Sequence, residues 1–457
     1  MENKISFRKR IQEIKIIDLV EHINVKSLFL IYVLLIFLIN IIRYANLNPS
    51  LLGTFSYYHA INSLEPFNFV KFDLYEFILK INPPLFSKIM PILLSIGLLY
   101  FIYIYLENYH PIVNSKIYLF LLVLSPFFLY LGSISNNLVL YTLMFLIAMY
   151  FYKKSNHRVA DVLIFISSFF SIPLAIFSLF ILGVNKIKRG AIASIIATVL
   201  SLILKNINII SLELSFDSFI NSIIFDLGSR YGLSMFLIAL SIFGFVYVFK
   251  NKYKFFSGIA ALVIFSLFAF FIHFHFIFFL GFIVVYFGAL GVEKIINREW
   301  QSIFIKELAI IVMTAGLLFS ALSFVNQVSH SEPNKQTYDA LSYLDKVTSQ
   351  NAIVLSDPSR GFWIDYYSSA KPFTTELSPL AAKRITSLIF ANRDISSTKE
   401  LLNDYGINLL FLDGEMKSGL VWTYPDEGLL LLLESNETFK RLYSNNNGDE
   451  IWEVISR

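Results

Sequence analysis

The sequence predicts a polytopic α-helical membrane bundle of about eleven spans, followed by a soluble α/β domain. Three observations carry that prediction. Apolar residues fill 56% of the 457 positions and charged residues only 15%, against about 45–50% and about 25% in an ordinary soluble domain. The surplus, 47 Phe included, cannot be hidden in one water-facing core, because cores stop growing near ~250–300 residues. Charge is also divided: residues 331–457 hold 12 Lys and Arg against 18 Asp and Glu, while residues 1–330 hold 25 against 15. The chain has no Cys, which excludes thiol redox, thiolate–metal and cysteine-nucleophile chemistry. Its basic residues punctuate apolar runs instead of lining an aromatic-rich face, which argues against a nucleic-acid partner.

A spanning helix needs about 20 mainly apolar residues, or somewhat fewer in a locally thinned bilayer. Candidates lie at 27–43, 88–106, 116–133, 138–152, 159–171, 172–185, 190–204, 231–249, 255–271, 275–292 and 307–325. Pro173 and the small Ser167, Ser168 and Ser171 sit at the centre of 159–185. A helix kinks or reverses at such a place, so that stretch reads as a hairpin of two short spans, with one long helix as the alternative. Loop charge tests the count, because short cytoplasmic loops carry excess Lys and Arg. With Arg8, Lys9, Arg10 and Lys15 inside, the clusters Lys153 to Arg158, Lys186 to Arg189, Lys250 to Lys254 and Glu293 to Lys306 also fall inside. Eleven spans then place the C-terminal domain outside. No small-residue cleavage site follows the first apolar run, so that run reads as a retained anchor.

The expected domains are therefore 1–330, a transmembrane domain with a long first external loop at 44–87, and 331–457, an extracytoplasmic α/β domain. Within the loop, Asn68 can cap a helix running to Ile81, with Val70, Leu74, Phe77, Ile78 and Ile81 on one face. Asp73, Glu76 and Lys80 flank that stripe, and such a helix lies in the membrane interface. A second amphipathic stretch, 212–225, precedes Asp226 and Arg230. Beyond Ser331 the pattern gives helices at Gln336–Val347, Leu380–Asn392 and Ser397–Tyr405, and a helix or turn at Gly361–Ser369. Strands are expected at Ala352–Ser356, Lys371–Thr375 and Asn408–Asp413. Phe439–Ser444 and Glu450–Ile455 flank an Asn-Gly pair, a strong hairpin signal.

A multispan bundle, a long first external loop with an interfacial helix and an external α/β domain together resemble the membrane glycosyltransferases of the C fold. Single-subunit oligosaccharyltransferases and the archaeal multispan transferases are the nearest in layout. Tyr343-Leu344-Asp345, Asn351 to Ser356 and Gly361-Phe362-Trp363-Ile364 look like the helix, strand and turn that carry the oligosaccharyltransferase Trp-Trp-Asp-Tyr-Gly motif. Ser356 to Gly361 stands in the motif's place, keeping the Gly and the later Trp363 but not the tandem Trp or the Asp. The resemblance implies that this motif reads the acceptor hydroxyl of a glycosylation sequon, so its loss argues against sequon recognition. Gly53 to His59 is similar to the family segment in which carboxylates follow the Gly and precede an aromatic-aromatic-His run, here Tyr57, Tyr58 and His59. Thr54 and Phe55 occupy the carboxylate positions, and no acid lies between Arg43 and Glu65. Hydroxyl and phenyl groups serve neither as general base nor as metal ligand at neutral pH. By the resemblance, a divalent cation such as Mg or Mn, a polyprenyl-phosphate lipid donor and a glycan, lipid or protein acceptor are the expected cofactor and partners.

Asp73 and Glu76, at i and i+3, are the nearest acids able to take over catalysis. The plainer reading is a solvated flank with a Glu76–Lys80 pair. His273, near His275 at the outer end of a span, can contact a pyrophosphate or simply be wet. Asp226 and Arg230, at i and i+4, either pair with each other or clasp a phosphate. Asp357 and Arg360 follow a buried strand, a usual place for function, although Asp-Pro-Ser is also a common turn. Asn136 and Asn137 read as turn formers. The leading function is transfer of a sugar from a polyprenyl-phosphate-linked donor on the outer face. The alternatives are a non-catalytic relative whose external domain binds a glycan or partner protein, and a transporter, although spans nearly free of ionisable residues speak against transport.

The topology is open to a direct check. Single cysteines placed in this cysteine-free chain should be labelled by an impermeant reagent on intact cells at Ser418 and not at Ser155. The reverse pattern would invert the orientation.

Overall fold

The computed structural model describes residues 24–66, 72–109, 113–184, 186–205, 224–227, 232–251, 276–298, 300–348, 352–424, 426–435 and 437–455. They form two compact units, one drawn from 1–39, 68–75 and 89–328, the other from 40–67, 76–88 and 329–457.

The first unit is all helix in its regular parts. Helices at Val25–Ala45, Pro83–Tyr109, Asn137–Lys153, His157–Phe170, Ile172–Val184, Lys188–Lys205, Met235–Asn251, Phe276–Asn297 and Ile303–Ser329 coincide with nine of the expected apolar segments. The tenth, 116–133, is two helices, Ser115–Val123 and Pro126–Ser133, meeting at 68°. The chain bends sharply at Pro126, because the ring has no N–H to give and Ser125 breaks from the helix to take an extended conformation (φ −83°, ψ 129°). The eleventh segment, 255–271, lies outside the described residues, as does most of the stretch 212–225. Among the described residues, Val25–Ala45, Pro83–Tyr109, Phe276–Asn297 and Phe304–Ser329 are long and apolar enough to cross a bilayer, and the bent pair raises the number to five. Asn156 to Phe170 and Ile172 onward form separate helices, parted at Ser171, whose backbone is extended (φ −135°, ψ 101°).

Small residues let two of these helices touch backbone to backbone. A Cβ placed on Gly244 would lie 2.0 Å from the Phe287 carbonyl oxygen, and one on Gly291 would lie 2.4 Å from that of Leu240. Without a hydrophobic drive between helices in lipid, such close packing is a main source of association. The buried hydroxyls of Ser168, Ser178 and Ser194 likewise link three helices, at 2.9 Å each to Ser194.

The second unit is a five-stranded mixed sheet in the order β2-β1-β3-β5-β4, with β1 at Ile353–Leu355, β2 at Lys371–Pro372, β3 at Ile407–Leu412, β4 at Phe439–Ser444 and β5 at Glu450–Val454. β1 runs parallel to β2 and β3, and β5 runs antiparallel to β3 and β4. The expected strands and the hairpin are all present, although β1 and β2 are shorter than the apolar runs that announce them. Alternation along β3 sends Leu409 and Phe411 to one face and Leu410 and Leu412 to the other. The first face is covered by the helices Lys335–Val347 and Gly361–Tyr367 together with Gly53–Leu64 of the first loop, through Leu51, Tyr57 and Ala60. Leu380–Ala391, Ile395–Asp404 and Gly428–Leu432 cover the second. Segments 40–67 and 76–88 of the first loop therefore belong to the α/β unit.

Two variants test these contacts. Replacing Gly244 by Leu should unseat Met235–Asn251 from Phe276–Asn297 and lower the melting temperature of the detergent-solubilised protein. In the α/β unit, Arg360 and Asp413 are each 1% exposed and 2.5 Å apart, so Asp413→Ala should destabilise the fold, by less than the about 3–5 kcal/mol of a fully stranded buried charge, because Glu415 still pairs with the guanidinium. The paired change of Arg360 to Met and Asp413 to Leu should cost much less in the same denaturation experiment.

Candidate functional site

The short helix Leu74–Leu79 of the first loop carries one candidate acid at its entrance and one inside. The helix expected over 68–81 is reduced to these six residues among those described, and residues 67–71 lie outside them. Its start has a local cause: Asp73 stands before the first turn and its Oδ1 accepts the Tyr75 N–H at 2.8 Å. The stop after Leu79 is followed closely by Pro83 and Pro84, which disfavour continuation. Asp73, Glu76 and Lys80 thus do not share one helical flank.

In the first unit, Asp73 is half-buried and held by three neutral donors. Besides the Tyr75 amide, the Tyr141 hydroxyl donates to Oδ1 at 2.6 Å and the Asn137 side-chain amide donates to Oδ2 at 2.9 Å. Asn137 and Tyr141 lie one turn apart on the same face of Asn137–Lys153, whose start is capped by Asn136 accepting the Leu138 N–H at 2.8 Å. The Tyr141 ring is fixed by stacking on Phe170, with centroids 5.4 Å apart and planes 11° apart. Among the described residues no Lys, Arg or His pairs with Asp73. Asn137, expected as a turn former, is instead a ligand of this carboxylate, and Tyr141 carried no motif at all. The i, i+4 pairing of two donors at a helix start was its one signal.

In the second unit, Glu76 is paired with His59, not with Lys80. His59 Nδ1 lies 3.0 Å from Glu76 Oε1, and the Asn62 amide donates to the same oxygen at 2.9 Å. Lys80 falls just past the end of the helix and donates to the Glu65 carbonyl at 3.2 Å, which is why the i, i+4 pair does not form. His59 is buried on Gly53–Leu64 beside Tyr58, whose ring packs edge-on against it at 5.1 Å. Tyr57 is fully buried, 3.2 Å from the Tyr367 hydroxyl. Burial pushes the Tyr57 phenol well up and the Tyr367 phenol up to about 12, so both stay neutral hydrogen-bonding groups. Tyr58 packs on Phe362 at 5.3 Å. Thr54 is buried in the first turn of the same helix.

The remaining candidates have structural partners. Asp226 accepts from Ser320 Oγ at 2.8 Å and from the Met235 amide at 2.6 Å, which caps Met235–Asn251. Arg230 and His273 lie outside the described residues. Asp357 takes the Ser359 N–H at 3.0 Å and so shapes the turn Pro358–Arg360. The Arg360 guanidinium, expected to meet a substrate, is spent on Asp413 and Glu415, both at 2.5 Å, and lies 4.7 Å over the Trp363 ring. Trp363 is buried and its indole N–H has no hydrogen-bond partner among the described residues.

The divalent cation that the family resemblance implies finds no ready ligand set here. Among the described residues no three His, Asp or Glu side chains converge, and the oxygens of Asp73 and Glu76 are engaged by amides, a phenol and an imidazole. The described residues do not fit such a centre.

No protein-family model and no curated protein sequence matches the chain. Solved structures do. The Archaeoglobus fulgidus oligosaccharyltransferase tethered to an acceptor peptide containing the NVT sequon superposes with a TM-score of 0.58 at 12% identity, over 95% of this chain and 74% of that one. The archaeal oligosaccharyltransferase AglB from the same organism, in complex with an inhibitory peptide and a dolichol-phosphate, gives 0.56 at 13%, over 93% and 74%. The arabinofuranosyltransferase AftD from Mycobacteria gives 0.54 at 11%, over 95% of this chain and 40% of that one. At such identities it is the backbone that is shared, and on that ground the chain has the C fold of membrane glycosyltransferases.

Proposed function

We propose that the protein is a membrane glycosyltransferase that takes a sugar from a polyprenyl-phosphate-linked donor and passes it to a glycan, lipid or protein acceptor on the outer face. The observation that carries this reading is the cradle around Asp73. A half-buried carboxylate fixed by Tyr141, Asn137 and the Tyr75 amide, with no cation beside it among the described residues, is a positioned base. Glycosyl transfer asks for such a group twice over. It takes the acceptor hydroxyl's proton as the oxygen attacks, and its charge stabilises the cationic character that builds at the sugar's anomeric carbon. The polyprenyl tail accounts for a bundle of apolar helices, since a lipid-linked donor never leaves the bilayer. The dolichol-phosphate and acceptor peptide seen with the Archaeoglobus protein support a lipid donor here, while the replacement of the Trp-Trp-Asp-Tyr-Gly motif speaks against a sequon as acceptor.

In this reading the His59–Glu76 pair holds the first-loop segment in place. Eleven spans, a cytoplasmic N-terminus and an extracytoplasmic α/β unit complete the arrangement. Thr54 and Phe55, in place of the family's carboxylates, favour a second reading, a non-catalytic relative that binds a glycan or partner protein.

Turnover of a panel of polyprenyl-phosphate sugars separates the two. Asp73→Asn should lower it by at least about 10²-fold, the usual contribution of one positioned base, with the amount of folded protein unchanged. Tyr141→Phe should give a smaller loss of about tenfold, as expected for one hydrogen bond to a charged group. Full activity in a variant lacking both Asp73 and Glu76 would refute the assignment, and a wild-type protein inert toward every donor would favour the non-catalytic reading.

A further inference from the structure

A cavity of about 410 Å³ opens in the α/β unit beyond the C-terminal end of β1. Its floor is aromatic: Phe390 and Trp422 meet edge to face with centroids 5.0 Å apart, and the Trp422 N–H is already given to the Phe390 carbonyl at 3.0 Å. Its rim is polar, with Asp357, Ser387, Arg393 and Glu427. The floor is built by a close approach, because Gly428 has φ +50° and a Cβ there would lie 2.0 Å from the Phe390 carbonyl oxygen.

The hydrogen bonds already made around this cavity say what it can still offer. Three backbone donors near its rim are taken: the Ser359 N–H goes to Asp357 Oδ1 at 3.0 Å, and the Thr423 and Tyr424 N–H groups go to Glu427 Oε2 at 2.7 and 3.2 Å. What stays uncommitted among the described residues is Asp357 Oδ2, Glu427 Oε1 and the whole Arg393 guanidinium. Two spaced carboxylate oxygens and a guanidinium fork suit vicinal hydroxyls, and the Phe390 and Trp422 rings, themselves nearly buried, give the cavity a rigid base. An extended peptide needs a free strand edge or free backbone groups. Here β1 is paired on both sides by β2 and β3, so it offers no free edge to an extended peptide. The volume lies within the ~300–1,000 Å³ range of ligand pockets.

We propose that this cavity binds one or two sugar units of a glycan. The site lies wholly within the α/β unit and does not depend on whether Asp73 catalyses transfer.

The test uses the full-length protein in lipid nanodiscs, applied to an array of defined oligosaccharides and an array of eight-residue peptides. The wild type should retain at least one class of oligosaccharide, displaced by the matching free methyl glycoside. Ser387→Trp, which fills the mouth from an exposed position, and Arg393→Ala, which removes the exposed guanidinium, should each weaken that binding at least about tenfold, the scale of one hydrogen bond to a charged group. Melting temperatures should stay unchanged, since both side chains are exposed. Asp73→Asn should bind the glycan as the wild type does, so that failed transfer and failed binding are read separately. The proposal is overturned if no oligosaccharide is retained, if both cavity variants bind as the wild type does, or if the arrays show peptide binding that these variants abolish.

Discussion

The constraint on which the α/β unit depends is the burial of β3 on both of its faces. Leu409 and Phe411 must be hidden on one side and Leu410 and Leu412 on the other, and at about 25 cal/mol per Å² of apolar surface neither face can be left to water. One side is closed by helices that follow β3 or lie between the strands. The other is closed in part by a helix that precedes the sheet by several hundred residues, Gly53–Leu64. Tyr57 from that helix is fully buried among Tyr366 and Tyr367, with centroids 5.4 and 5.5 Å away. Arg43 and Ser50 extend the connection to the backbone at Ser331 and Pro333. The first loop is thus part of a core, which explains why Tyr57, Tyr58 and His59 form a run of rings and why most of them are buried.

The same packing decides how the two candidate acids are dressed. His59 sits on the helix that closes the sheet, so the Glu76 carboxylate that reaches it gains an imidazole and the Asn62 amide. Asp73 stands just before the short helix Leu74–Leu79 and takes its side-chain partners from Asn137–Lys153, a helix of its own unit. Acids three residues apart therefore acquire different chemistry. One faces an imidazole and an amide. The other faces only neutral donors, which hold an anion in place without cancelling its charge. Arg360 shows the opposite outcome: its guanidinium, stacked on Trp363 and paired with Asp413 and Glu415, is consumed by stability.

The loop after β1 is shaped by its own contacts. Asp357 turns back on its own backbone and Arg360 turns inward to Asp413 and Glu415. A shared backbone fixes neither of these contacts, since a fold can carry different sites.

Local patterns in the sequence were enough for the class of fold, for nine of the apolar helical segments, and for the order of strands and helices after Ser331. Those features rest on local quantities: run length in bilayer-compatible segments, period-2 alternation in β3, and the Asn-Gly turn between β4 and β5. The sequence also singled out Asp73 and Glu76, because the shortage of acids from Arg43 to Glu65 leaves few others. It did not reveal that Asn137 and Tyr141 hold Asp73, that His59 displaces Lys80 at Glu76, or that Arg360 is buried. Each of these depends on residues between about 17 and 68 positions apart in the chain. Only tertiary packing decides which such distant side chains meet, since a hydrogen bond is directional and within about 3 Å, whereas a sequence pattern speaks only to the next turn or the next pleat.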